Sequence, residues 1–295
     1  MSPLELVGLV PLMRRSRGLP NISIGLVDGP VAIDHPDLAG RAIREIPGKV
    51  SGACSRAGSV ACRHGTAVAG VLLAQRGSSA PAICPDCVLF VRPIFSETGL
   101  VNGDMPRATP EELAEAIVSC VRAGANVINL SAALAQPSPA GERALQQALD
   151  YAAKRGAIAV AAAGNQGVVG SSAITRHPCV IGVAACDLRG TPLNESNLGS
   201  SLGRRGLMAP GVGIVSLGTN GKSQTFGGTS GAAPFVTGAI ALLWSEFPGA
   251  TGAAVRNAVI QAAGPWKRTT VVPPLLDAWA AYQVLRRAHA VEHIL

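Results

Sequence analysis

Short apolar runs, each closed by Gly, Pro, Asp or Asn, alternate along this chain with longer stretches whose apolar residues recur at helical spacing. Residues 21–28, 88–94, 126–130, 157–162 and 179–185 read as buried strands, and 206–208 and 213–216 as shorter ones. Residues 64–75, 110–123, 139–154, 230–247, 253–262 and 277–287 read as helices, with Thr109 as an N-cap and Gly124 and Gly156 as stops. Strands that are apolar on both faces and separated by helices imply an α/β fold: a mostly parallel central sheet with helices on both faces, three layers in all. With 48% hydrophobic but only 3% aromatic residues, the core has to be built from Ala, Val, Leu and Ile. No repeat or low-complexity linker divides the 295 residues. The expectation is an N-terminal arm, 1–20, packed on the outside of one domain, 21–295.

Bulk properties exclude several classes. No apolar run approaches the roughly 18 residues of a membrane helix. The formal charge of +7 comes from scattered arginines (Arg14, Arg15, Arg17; Arg204, Arg205; Arg286, Arg287) and reads as ordinary surface charge, with an acidic substrate or partner peptide as the alternative, and not as a nucleic-acid face. The N-terminus has no basic start, apolar stretch and small-residue cleavage site, so a cytoplasmic location is expected. The first motif begins by residue 22, so a separate folding pro-domain is not expected. Seven cysteines, at 54, 62, 84, 87, 120, 179 and 186, suit mostly free thiols. Cys84-Pro85-Asp86-Cys87 has metal or redox spacing, and Cys54 and Cys62 would complete a four-cysteine set. Free thiols, a disulfide among these four, and a metal site all stay open.

Four polar residues stand at element ends among small neighbours. Asp28 closes an apolar strand, the usual edge for sites in parallel sheets. His64 opens a helix before Gly65 and Thr66. Ser230 begins another after Gly227 and Gly228, where helix N–H groups and the dipole favour a developing anion. Asn165 follows Ala163 and Gly164 at a strand end, placed to donate to an oxyanion; losing such a donor typically costs about 10²–10³ in rate. Singly, each has an ordinary role as a cap, turn or packing residue. Together they are the side chains of nucleophilic hydrolysis: a serine that attacks, a histidine that moves its proton, an aspartate that holds the histidine tautomer.

On these residues the chain resembles the subtilisin-like serine proteases, the subtilases (peptidase S8). The matching segments, in family order over residues 22–247, are Asp28-Gly29 with His35-Pro36-Asp37-Leu38, His64-Gly65-Thr66, Asn129-Leu130-Ser131, Ala163-Gly164-Asn165, Ala209-Pro210-Gly211 and Gly228-Thr229-Ser230-Gly231-Ala232-Ala233-Pro234. The resemblance implies the subtilisin-like fold and a serine endopeptidase that needs no cofactor. It makes Ser230 the nucleophile, His64 the general base and acid, Asp28 the orienting carboxylate, and Asn165 with the Ser230 N–H the oxyanion hole. Ser131, Ala132, Ala133, Ala163 and Gly164 would then line the substrate cleft, with a peptide as partner and neither nucleic acid nor membrane. Asp28-Gly29-Pro30-Val31 followed by His35-Pro36 is similar to the peptide-maturation branch, including the cyanobactin-type proteases.

The chain also departs from the family. Pro30 follows Asp28-Gly29, Gly231 stands where many relatives have Met or Phe, and Ala67 replaces a frequent His. Ser131-Ala132-Ala133-Leu134 replaces the usual Ser-Leu-Gly-Gly, so added methyl and isobutyl groups should narrow the pocket for the residue before the cut. Asp34 and Asp37 read as loop and surface carboxylates, and no residues are assigned to calcium. The leading expectation is maturation of a ribosomally made precursor peptide. The alternatives are a general intracellular degradative subtilase, a peptide-binding pseudoprotease, and acyl transfer to an amine, which needs a water-excluding lid.

Overall fold

The structure is a computed structural model that describes residues 1–97, 108–131, 139–264 and 269–292. Two short helices open the chain, α1 (Pro3–Leu6) and α2 (Leu9–Arg15), followed by strand β1 (Ser23–Asp28), a 3₁₀ turn at Pro36–Leu38 and β2 (Ile43–Glu45). Then come α3 (Val60–Leu73), β3 (Val88–Pro93), α4 (Pro110–Arg122), β4 (Val127–Leu130), α5 (Pro139–Lys154) and β5 (Ile158–Ala162). The C-terminal half holds α6 (Ala173–Arg176), β6 (Val180–Cys186), α7 (Ser200–Arg205), β7 (Leu207–Pro210), β8 (Ile214–Leu217), β9 (Ser223–Phe226), α8 (Gly228–Glu246), α9 (Gly252–Ala262) and α10 (Ala278–Glu292).

Among the described residues seven strands form one sheet in the order β2-β3-β1-β4-β5-β6-β7, every pair parallel. The chain leaves β1 for β3 on one side and later returns to β4 on the other, so β1 marks the point where strand order reverses. In such sheets the crevice at the strands' carboxyl ends at this point is where ligands bind. Alternate residues of each strand feed two cores. Ile24, Leu26, Val127, Val160 and Val183 face α3 and α8, while Val27, Ile128, Leu130, Ala159 and Ala161 face α4 and α5. This is the three-layer α/β arrangement expected from the alternation of strands and helices.

Caps set most helix limits. Thr109 and Glu112 form a reciprocal capping box at the start of α4, with Pro110 in its first turn. Ser59 caps α3 by accepting from the Cys62 N–H. His64 is therefore the fifth residue of this helix and not its first, which corrects the expectation. Likewise α8 begins at Gly228, two residues before Ser230. At the N-terminus Val7, Leu9 and Leu12 are fully buried in the larger core, and Arg15 pairs with Glu246 at 3.0 Å and lies over the Tyr282 ring. No helix among the described residues is long and apolar enough to cross a membrane.

Candidate active site

Three adjacent strands end at one place. In register, Val27 of β1 lies beside Leu130 of β4, and Leu130 beside Ala161 of β5. The chain beyond them thus brings Asp28, Ser131 and the Ala163-Gly164-Asn165 turn to the same carboxyl edge. Asp28 is fully buried, and its Oδ1 accepts from the Gly29 N–H at 2.6 Å. The same oxygen is 2.6 Å from His64 Nδ1, while Oδ2 has no hydrogen-bond partner among the described residues. A carboxylate next to Nδ1 fixes the neutral ring with its proton on Nδ1 and leaves Nε2 as an acceptor.

This approach depends on two glycines. A Cβ on Gly29 would lie 2.1 Å from the Ala61 carbonyl oxygen, and one on Gly65 would lie 2.5 Å from the carbonyl oxygens of Gly29 and Pro30. The first turns of α3 therefore pack backbone to backbone against the end of β1, and that contact brings His64 onto Asp28. Phe226, ending β9, meets the His64 ring edge-on, with centroids 5.3 Å apart. The ring keeps 11% of its side-chain exposure. Burial acts against its charged form, but the Asp28 charge and hydrogen bond outweigh this and raise the His64 pKa above its ordinary value.

Ser230 is the third residue of α8. Its hydroxyl donates to the carbonyl of Ser131 at 3.1 Å, and no hydrogen bond joins it to His64 among the described residues. Ser131 is itself buried, and its Oγ accepts from Asn129 Nδ2 at 2.7 Å. Asn129 Oδ1 in turn accepts from Thr237 of α8 at 2.8 Å, so β4 and α8 are joined by a buried polar chain beneath the site.

Asn165 is exposed, but its orientation is set. Its Oδ1 accepts from the Thr229 N–H at 2.9 Å and from Thr229 Oγ1 at 3.0 Å. A backbone N–H only donates, so the oxygen has to face it and Nδ2 is turned outward as a donor. Gly228 has φ +71°, and a Cβ there would stand 3.0 Å from both Asn165 terminal atoms. Ala163 and Gly164 have their backbone groups already engaged. Ala163 N–H donates to Val183, Gly164 N–H donates to Thr229 Oγ1, and Asn197 donates to both carbonyls. Their backbone groups are thus paired within the fold and do not form a free strand edge.

The structure thus brings Asp28, His64, Ser131, Ala163, Gly164, Asn165 and Ser230 to one edge, whereas Ala132, Ala133 and Leu134 lie outside the described residues. Sequence reading missed Thr229, Asn197 and Phe226. Thr229 was legible as the residue before Ser230 in the same motif, but its link to Asn165 is tertiary. Beside His64 lies a cleft of about 280 Å³ lined by Val60, Arg63, Gln224, Thr225 and Phe226.

The cysteine alternatives are also decided. Cys54 and Cys62 are joined in a disulfide, while Cys84, Cys87, Cys120, Cys179 and Cys186 are free. The four-cysteine set does not form. Glu97 lies within 4.8 Å of Cys54 and Cys62, a grouping of metal-ligand types. The disulfide removes its thiolates, however, and the Glu97 carboxylate is taken by the N–H groups of Ser55 and Arg56 and the Ser55 hydroxyl.

A serine, a histidine–aspartate pair and an outward asparagine donor at the carboxyl edge of a parallel sheet define the class of serine endopeptidases. The Subtilase family (peptidase S8) profile matches residues 20–285, and the chain belongs to that family. It is 31% identical over 247 residues to subtilisin DY of Bacillus licheniformis, covering 80% of this chain and 81% of that protein. It is 30% identical over 248 residues to subtilisin amylosacchariticus of Bacillus subtilis subsp. amylosacchariticus, covering 80% of this chain but 59% of the relative. Among solved structures, a mutant of the protease domain of PatA matches with a TM-score of 0.81 at 32% identity, covering 92% of this chain and 97% of that one. The prenylagaramide maturation protease PagA matches with a TM-score of 0.81 at 29% identity, covering 94% and 98%.

Proposed function

We propose that this subtilase is a peptide-maturation endopeptidase that cuts a ribosomally made precursor peptide through an acyl-enzyme on Ser230. The 2.6 Å contact between Asp28 and His64 at the sheet's carboxyl edge carries the mechanism. The likeness to the maturation protease PagA and to the PatA protease domain, across more than nine-tenths of the chain, supports the substrate class.

In this reading the Ser230 hydroxyl turns from the Ser131 carbonyl and gives its proton to His64 Nε2 as Oγ bonds to the scissile carbonyl carbon. Asp28 holds the ring and stabilises the imidazolium. Asn165 Nδ2 and the Ser230 N–H receive the oxyanion at the positive end of α8. The tetrahedral adduct collapses, the C–N bond breaks, and His64 passes its proton to the leaving amine. Water, deprotonated by His64, then attacks the ester carbon, and as the C–Oγ bond breaks His64 returns that proton to Ser230 Oγ, freeing the acid product and the enzyme. Since the histidine is partly exposed, water reaches the acyl group and hydrolysis is the outcome.

Ser131 stands on one side of the residue before the cut and Ala163 and Gly164 on the other, and the sequence Ser131-Ala132-Ala133 in place of Ser-Leu-Gly supports a preference for small side chains there. We place the protein in the cytoplasm. Burial pushes the Cys120 and Cys186 thiols up to about 12, so they stay protonated and do not compete as nucleophiles.

Mass spectrometry of products from a peptide library tests the reading, with Ser230→Ala as control. Selective cleavage after small residues, lost in the control along with fluorophosphonate labelling, is expected. Equally fast cleavage after large aromatic residues would sink the pocket assignment, and cleavage by the Ser230→Ala chain would sink the mechanism.

A further inference from the structure

A much larger cavity, about 730 Å³, lies away from this edge. Pro178 lies two residues before β6, and Arg204 and Arg205 end α7 just before Gly206 and β7, so these walls stand at the amino ends of the strands. The strands are parallel, and β6 has seven residues, so the cavity is roughly 20 Å from the catalytic edge. The opposite wall is one face of α9, carrying Arg256, Asn257, Ile260 and Gln261, and Thr269 and Thr270 close one side.

The charge here is unbalanced. The lining contains three arginines and no Asp or Glu, and none of the three forms an ion pair among the described residues. Arg205 donates from Nη2 to the Arg176 carbonyl and Arg256 from Nη2 to the Pro178 carbonyl, so both guanidinium groups are anchored along one short segment. The Nε atoms of both are sealed from solvent without an acceptor among the described residues. Burial, and then the nearby Arg205 charge, lower the Arg256 pKa despite an opposing influence from Cys179. Two like charges held side by side with unmet donors are costly to keep unless an anion offsets them.

The size argues against a bare inorganic anion, since a water takes about 30 Å³ of liquid and this cavity holds many times that. It falls in the range of sites for organic ligands, roughly 300–1,000 Å³. Its other groups suit a polypeptide. Asn257 and Gln261 match backbone amides, Ser200 and Thr269 supply hydroxyls, and Pro178 and Ile260 give apolar contact.

We propose that this cavity is a second peptide site, separate from the catalytic cleft, that holds an acidic segment of the substrate through Arg204, Arg205 and Arg256. The proposal rests on the reading of the chain as a peptide-cleaving enzyme. The strand interior between the two sites is buried on both faces, so a peptide joining them has to follow the surface and needs well more than the about six extended residues that span roughly 20 Å. Anchoring at the second raises the effective concentration of the bond at the first.

The test uses the full chain carrying Ser230→Ala, so that nothing is cut. Fluorescence anisotropy follows a fluorescein-labelled peptide of alternating Glu and Gly, compared with its Gln counterpart. The acidic peptide should bind on the order of tenfold more tightly, and less so as salt is raised. The Arg205→Gln/Arg256→Gln double variant should lose that preference. Arg204→Gln, at an exposed position where folding is not at stake, should weaken it in part. With Ser230 restored, both variants should keep their turnover of a short neutral peptide that fills only the catalytic cleft. Equal binding of the two peptides would overturn the proposal, as would unaltered binding by the Arg204→Gln chain. Displacement by inorganic phosphate or ATP at lower concentration than by unlabelled acidic peptide would also overturn it, assigning the cavity to a phosphate ligand. Binding is read here without cleavage, so this outcome stands apart from the Ser230→Ala cleavage control.

Discussion

His64 lies between opposing influences, and their balance sets a pH limit. Burial disfavours its charged form, but the Asp28 carboxylate raises the pKa above the ordinary value of about 6.5. Only the neutral ring is a base, so kcat/KM should rise with pH through an inflection above that value. The stability linkage has the opposite sense. A raised folded pKa contributes stability that is fully present below the unfolded pKa and is lost as pH rises through the folded one. Asp28→Asn should therefore lower the inflection as well as the rate, measured as a pH profile on a chromogenic peptide. Thr229 is the second residue on which the site turns. Its N–H and hydroxyl both hold Asn165 Oδ1. Thr229→Val removes one of these bonds and the acceptor for Gly164, about 1 kcal/mol each. We expect kcat to fall by about tenfold with little change in KM, since the asparagine acts on the transition state.

Among the elements, α3 bears the tightest constraints. Its first turn is tied to the loop before it by Cys54–Cys62, two residues from His64. Closing a loop with sequence separation 8 is worth about 2.5 kcal/mol in the chain-entropy account. The Cys54→Ser/Cys62→Ser protein should lose about that much stability in urea unfolding and show a reduced kcat through looser placement of the histidine. Long, strongly patterned elements were legible in the sequence: α5 was read with its observed limits, and the central strands within a residue or two. The missed elements lack a periodic signal. α1 and α6 have four residues each and are defined by capping boxes, β2 has three residues, and β9 exists only by pairing with β8. Asp28, His64, Asn165 and Ser230 were legible because each sits in a short motif of small residues. Asn197 was not, because its bonds to the Ala163-Gly164 turn follow from tertiary packing. The arginine cavity was hidden for the same reason, with Arg205 and Arg256 far apart in the chain.

At the scale of the whole molecule, the N-terminal helices are part of the main core. Val7, Leu9 and Leu12 are fully buried there, and α2 packs against α8 and α10. Leu12→Ala should cost about 2–5 kcal/mol in unfolding free energy, as deletion of a core leucine does. If the first residues were only an external arm, the same change would leave the urea midpoint unmoved.

The strand order also bears on how the protein is made. β1 is made before the other strands of this sheet, yet its neighbours are β3 and β4, and the helix that carries Ser230 follows the last strand of the sheet. A chain emerging from the ribosome at about 5–20 residues per second exposes Asp28 and His64 well before Ser230 exists. Until α8 emerges and docks, the nascent polypeptide has no nucleophile at that edge. A peptide-cutting enzyme built in this order is harmless to itself and to its surroundings for most of its synthesis.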